Sequence, residues 1–270
     1  MNSLIKKPKQ KSVLDSQKIL LEFIGTFSLT YVASWTLIFK DLHSITYNGV
    51  GLAQALTLAG FIWFGLYISG AHYNPAVTIS LVLIKQIDWY TAMFYIGSQF
   101  LGGLVSSAFI YIQLNSDIIA TIKEKSVMGI PRPANLNFDV SSLWGEILGT
   151  YLLMYVYMAT CSPANTKRVP GIGGAAVGFA FYIVSMTVGE LSGSGLNPAR
   201  SLGPAIIAGK IEKDQFVHFF GPIIGAVVAT LFYKWIYIED EEDLKEEEQE
   251  KQLKETQTNL ISSNDQSEFY

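Results

Sequence analysis

Long apolar runs broken by short polar stretches occupy the chain from residue 19 to residue 238. A helix needs about 20 mostly apolar residues to cross a hydrocarbon layer of ~30 Å. Six runs qualify: 19–39, 49–69, 89–112, 143–161, 171–189 and 216–238. Two more, 75–84 and 198–208, have only 10 and 11 residues. As helix these reach about 15–16 Å, roughly half the depth of the layer. Each follows a glycine-containing stretch with no helical pattern, Ser69-Gly70-Ala71-His72-Tyr73 and Ser192-Gly193-Ser194-Gly195-Leu196. Irregular backbone at membrane depth is tolerated only where protein buries it or where it lines a water-filled cavity. The pattern predicts an all-α membrane protein, six transmembrane helices plus two half-helices around a cavity.

The landmarks repeat. Glu22-Phe-Ile-Gly-Thr-Phe27 returns as Glu146-Ile-Leu-Gly-Thr-Tyr151, Asn74-Pro75-Ala76 returns as Asn197-Pro198-Ala199, and Gly97 returns as Gly221. The offsets are 124, 123 and 124 residues. Three matches in one register indicate a duplication, with repeat one at about 19–112 and repeat two at about 143–238. Each copy holds three spans, an odd number, so the second enters from the opposite face. The result is an inverted repeat whose half-helices meet near the midplane.

Composition sharpens this. Charged residues are 16% of the 270, against about 25% in ordinary soluble domains. Residues 239–270 hold 12 acids and 3 bases, a net of −9, leaving +5 on the remainder. Such a tail has too little apolar area to order itself, and disorder is expected there. Lys6, Lys7, Lys9, Lys11 and Lys18 precede the first span, and Lys167 with Arg168 follows the fourth. The positive-inside bias puts both on the cytoplasmic side, together with both termini, since six is even. Lys123, Lys125 and Arg132 in the third connection soften that bias. The expected organisation is a basic cytoplasmic segment 1–18, a membrane domain 19–238 and an acidic cytoplasmic tail 239–270. The first apolar run is too long for a signal-peptide core, so a retained amino terminus is expected. A single Cys161 leaves no intrachain disulfide.

Asn is a favoured helix N-cap and Pro a favoured first helical residue. Once the side-chain oxygens of Asn74 and Asn197 cap their helices, the two NH2 groups are left to face each other across the cavity. Each sits on a helix end carrying about half a positive charge. Groups of that kind donate to a water or hydroxyl oxygen and repel cations. Arg200, beside the second Asn-Pro-Ala, is an expensive charge at membrane depth and therefore a functional candidate. The three histidines and one cysteine are scattered and form neither a metal cluster nor a nucleophile–base pair. No cofactor, no metal and no catalysis are expected, and the absence of a basic stripe argues against nucleic acid.

Gly70-Ala-His-Tyr-Asn-Pro-Ala-Val77 and Gly193-Ser-Gly-Leu-Asn-Pro-Ala-Arg-Ser-Leu-Gly-Pro-Ala205 resemble the paired signature of the aquaporin, or major intrinsic protein, family. The resemblance covers roughly residues 15–238. It implies a passive channel for water or small neutral solutes, assembled as a homotetramer in a plasma or vacuolar membrane. Proton and cation exclusion is implied as in aquaporin-type pores generally, through an arginine and the half-helix dipoles. By offset from the two motifs it also implies an outer constriction of Gln54, Ser185, Ser194 and Arg200. That set departs from the family pattern. Water-selective members carry Phe, His and often Cys at the first three positions, and glycerol channels carry bulky aromatics at the first and third. A wider, more hydrophilic opening is expected, leaking glycerol or urea. Ser201, Ala205 and Phe219 lean toward the water type. The resemblance further places His72 at the cytoplasmic pore mouth, where protonation would modulate flow. It makes Glu22 and Glu146 structural braces for the unwound segments. The rival classes are a glycerol- or urea-type channel, a secondary transporter built on the same repeat, and a non-conducting adhesive protein. Neither half-helix junction offers a spare acid for cation coupling, and nothing in the short loops supports adhesion.

Overall fold

The computed structural model describes residues 16–42, 44–114, 128–132, 140–162, 171–211, 213 and 215–237, with single positions 249 and 253. The lysine-rich start, Lys167 with Arg168, and the expected disorder of the acidic tail lie outside them.

Among the described residues the chain forms helices and no strands. They are α1 (Ser16–Asp41), α2 (Tyr47–Gly65), the short α3 (Pro75–Leu83), α4 (Trp89–Gln113), α5 (Val140–Cys161), α6 (Gly173–Ser192), the short α7 (Pro198–Ile207) and α8 (Gln215–Tyr237). Helices α1, α4, α6 and α8 are long and apolar enough to cross a membrane by composition alone. Helices α2 and α5 have the length but are diluted, α2 by Asn48, Gln54 and four glycines, α5 by serines, tyrosines and Glu146. Gln54 and Glu146 are buried, whereas Asn48 is exposed.

The solvent logic is inside out. Leu56, Phe64, Ile112, Phe179 and Ile183 stand exposed, while Glu22, Thr26, Gln54, Gln99, Glu146, Arg200 and His218 are buried. That distribution suits lipid outside and polar chemistry within.

The contacts follow the duplication. Helix α1 packs on α4 and α2, α4 packs on α7, and α5 packs on α6. Helix α2 packs on its own counterpart α6, and α3 on α7, as an exchange of the two halves requires. Small residues permit the approach. A Cβ on Gly203 would stand 2.5 Å from the Gly103 carbonyl oxygen, and one on Gly178 would stand 2.7 Å from Ala59 Cβ. Gly97, in the same helix as Gly102 and Gly103, instead faces open space. By its internal contacts the chain divides into a unit ending at Thr230 and a second beginning at Leu231. Every residue of the site lies in the first.

Candidate pore

The two unwound segments share one backbone solution. Gly70, Ala71 and Tyr73 have φ of 90°, 54° and 49°, and Gly193, Ser194 and Leu196 have 84°, 51° and 51°. The left-handed region is natural for glycine, but it costs of order 1–3 kcal/mol for each other residue, so the surroundings must hold it.

Two carboxylates do so. Glu22 Oε1 accepts from Ser69 Oγ (2.7 Å) and the His72 amide (3.0 Å). Its Oε2 accepts from the Tyr73 amide (2.6 Å) and Gln99 Nε2 (2.8 Å). Glu146 repeats three of the four: Oε1 accepts from Ser192 Oγ (2.6 Å) and the Gly195 amide (2.8 Å), and Oε2 from the Leu196 amide (2.6 Å). Both glutamates are fully buried, and each turns unpaired backbone donors away from the cavity.

At the helix tips each asparagine works twice. Asn74 Oδ1 accepts from the Ala76 amide (2.9 Å), and its Nδ2 donates to the Leu196 carbonyl (2.8 Å). Asn197 Oδ1 accepts from the amides of Ala199 (3.0 Å) and Arg200 (3.3 Å), and its Nδ2 donates to the Tyr73 carbonyl (2.8 Å). Each amide therefore pins its own tip to the opposite segment, and only its second N–H remains for the cavity. The sequence leaves both N–H groups free because the carbonyl across the dyad is invisible to it.

A narrow cavity of about 40 Å³ runs past these tips. Its lining includes Gln54, His72, Asn74, Asn197 and Arg200, with the backbone of Ala71, Tyr73, Gly195 and Leu196 and the apolar Leu58, Val77, Val177 and Phe181. Ser185 and Ser194 are buried but are not among its lining residues. All four residues of the expected constriction still share one property. Gln54 Nε2, Ser185 Oγ, Ser194 Oγ and the three Arg200 nitrogens have no hydrogen-bond partner among the described residues.

These features recur in a known set of proteins. The family model of the major intrinsic proteins matches residues 9–233. The chain belongs to the major intrinsic protein family. It is 32% identical over 227 residues to aquaporin NIP2-2 of Zea mays, covering 83% of this chain and 72% of that one. It is 31% identical over 226 residues to aquaporin NIP2-1 of Oryza sativa subsp. japonica, again covering 83% and 72%. The X-ray structure of the aquaglyceroporin from Plasmodium falciparum shares the fold at a TM-score of 0.72 and 22% identity, covering 82% of this chain and 96% of that one. Family and apolar helices together make it an integral membrane protein.

On the far side of the tips this family member has a second cavity, about 610 Å³, lined by His72, Ser69, Asp88, Tyr95, Tyr157 and Cys161 among others. His72 Nδ1 lies 3.1 Å from Thr78 Oγ1. Its ring is packed edge-on against Tyr95 (5.2 Å) and Tyr157 (6.4 Å). The two tyrosine hydroxyls donate to the Ser69 and Gly70 carbonyls at 3.0 and 2.7 Å. Sequence inspection misses Tyr95, Tyr157 and Gln99, for nothing in an apolar span singles them out. Ser69 and Ser192 were findable, standing 123 residues apart in the register of the motifs.

Proposed function

We propose that the protein is a passive channel passing water and small uncharged solutes through each subunit, excluding ions and protons and performing no catalysis. The observation carrying this reading is the reciprocal bonding of Asn74 and Asn197, which sets two positive helix ends beside one narrow cavity. A cation there meets donors and positive dipoles, while water offers an oxygen. Apolar residues on the opposite wall give an ion nothing to replace its hydration shell.

Gln54, Ser185, Ser194 and Arg200 form the outer constriction in this reading. Their unpartnered donors and hydroxyls suit a permeant with several hydrogen-bonding atoms. The set contains no aromatic wall, which supports passage of glycerol or urea beside water. His72 stands at the inner mouth. The domain organisation proposed is a cytoplasmic basic segment 1–18, a channel 19–238 and an acidic cytoplasmic tail 239–270. The assembly is a homotetramer in a plasma or vacuolar bilayer.

Osmotic swelling of proteoliposomes, comparing water, glycerol and urea, tests the reading. Non-saturating flux well above empty vesicles, without proton leak, is the expected result. Saturable, ion-coupled uptake points to a transporter, and swelling at the empty-vesicle rate refutes conduction.

A further inference from the structure

The two repeats brace their pore segments alike except at one corner. In the first repeat, Gln99 Nε2 supplies the fourth hydrogen bond to Glu22 and also donates to Thr78 Oγ1 at 3.0 Å. The imidazole of His72, from the unwound segment itself, reaches the same hydroxyl. Carried over by the repeat offsets, Gln99 becomes Ile223, His72 becomes Gly195 and Thr78 becomes Ser201. The amide donor and the segment's imidazole are both gone, and a hydroxyl remains.

An imidazole nevertheless stands in that place. His218, from α8, is 1% exposed, and its Nδ1 lies 3.3 Å from Glu146 Oε1, within ion-pair distance. That contact is off hydrogen-bond angle, and neither ring nitrogen has a hydrogen-bond partner among the described residues. The Ser201 hydroxyl is likewise unpartnered. An ideal Cβ on Gly195 would fall 2.6 Å from His218 Nδ1, 2.8 Å from Ser201 Oγ and 3.1 Å from Glu146 Oε2. The ring therefore fills the room that the glycine leaves, directly behind a residue of the cavity wall. The first repeat offers no equivalent, because the position matching His218 is the outward-facing Phe94.

We propose that His218 is a positioning residue for the second pore segment. From α8 it sets an imidazole nitrogen 3.3 Å from Glu146 Oε1, a polar contact on the carboxylate whose counterpart Glu22 takes its fourth hydrogen bond from Gln99, and it backs Gly195 as no side chain of the segment can. The segment it steadies carries Ser194 and leads into Asn197 and Arg200, so His218 acts on selectivity through them rather than by touching the permeant. Without the ring, the buried carboxylate loses that polar contact and Gly195 loses its backing, and a loosened segment moves the constriction.

This inference rests on the channel reading, and the test keeps the two apart. Full-length His218→Leu, His218→Gln and wild type are reconstituted, and urea-to-water and glycerol-to-water permeability ratios are measured beside thermal unfolding in detergent. His218→Leu is expected to change at least one ratio by about threefold or more, well within what one hydrogen bond to a charged group is worth. His218→Gln, which restores an uncharged donor such as Gln99, is expected to return the ratio toward wild type. A merely space-filling role predicts the same ratio in both variants, because leucine fills the gap as well as glutamine does. Wild-type ratios in His218→Leu, or no rescue by His218→Gln, overturn the proposal. Should His218→Leu fail to fold, a wild-type ratio in Gly195→Ala, whose new Cβ collides with His218 and Ser201, overturns it as well. Failure of wild-type vesicles to swell would instead sink the channel reading.

Discussion

Arg200 and the asparagines show how much a buried polar atom depends on what faces it. Arg200 is 3% exposed, and its three nitrogens have no hydrogen-bond partner among the described residues, which is what the proposed constriction role asks of it. Arg200→Ala is expected to raise urea and glycerol permeability severalfold and to admit cations, as read by swelling rates and a proton-sensitive dye inside vesicles. Asn197→Asp keeps the cap acceptor but loses the donor to the Tyr73 carbonyl and places a negative charge at the cavity. Water flow should fall about tenfold or more, the scale of one lost interaction of ~1.4 kcal/mol. Glu146→Leu strands the amides of Gly195 and Leu196, at about 1–3 kcal/mol for each unsatisfied group, and leaves the Ser192 hydroxyl only the Val188 carbonyl. Its unfolding temperature in detergent should drop sharply, and that of Glu146→Gln, which keeps one acceptor oxygen, much less. Cys161 is the single thiol and lines the inner cavity rather than the narrow one. Mercurials should therefore slow swelling only weakly, with Cys161→Ser removing the remaining effect.

The half-helices are too short to be stable alone and exist because long helices clamp them. A nine- or ten-residue helix is marginal in isolation. Here α7 is seated by the close approach of Gly203 to the Gly103 carbonyl, and a Cβ on Gly103 would stand 2.5 Å from the Ala199 carbonyl oxygen. Gly103→Val should consequently push α7 away from α4, with a loss of about 1–3 kcal/mol from overpacking and a fall in permeability. Gly97→Ala, in the same helix but facing open space, should leave both unfolding temperature and flow unchanged. Equal effects from the two substitutions would show that general helix propensity, not the α4–α7 contact, sets the cost.

For the whole molecule the governing fact is inversion, both of the repeat and of the solvent-facing pattern. Polar residues are useful inside because two copies of one motif present complementary groups across an internal dyad, Asn to carbonyl in both directions. The proposed organisation has both termini on one side, so tags at either terminus should be protected from, or open to, added protease together. All residues named for the pore, its selectivity and its bracing lie between 22 and 219. A chain ending at residue 238 should conduct like the full one in vesicles, and a changed pore would place a gate in the tail.

What the residues determined unaided is whatever depends on local chemistry and on counting. Hydrophobic length marked six spans and two half-spans within a few residues of α1 to α8, and a shared offset revealed the duplication. Asn before Pro marked both caps. Tertiary structure alone decided which groups complete one another. It spent one N–H of each asparagine on the opposite segment and set Gln99 against Glu22. It brought His218 from α8 behind Gly195, and it left the buried Ser185 and Ser194 hydroxyls without a hydrogen-bond partner among the described residues. The reason is physical: caps, spans and repeats are encoded in the order of residues along the chain, whereas the side-chain amides of Gln99, Asn74 and Asn197 find their acceptors only when chain segments more than 70 residues apart are packed together.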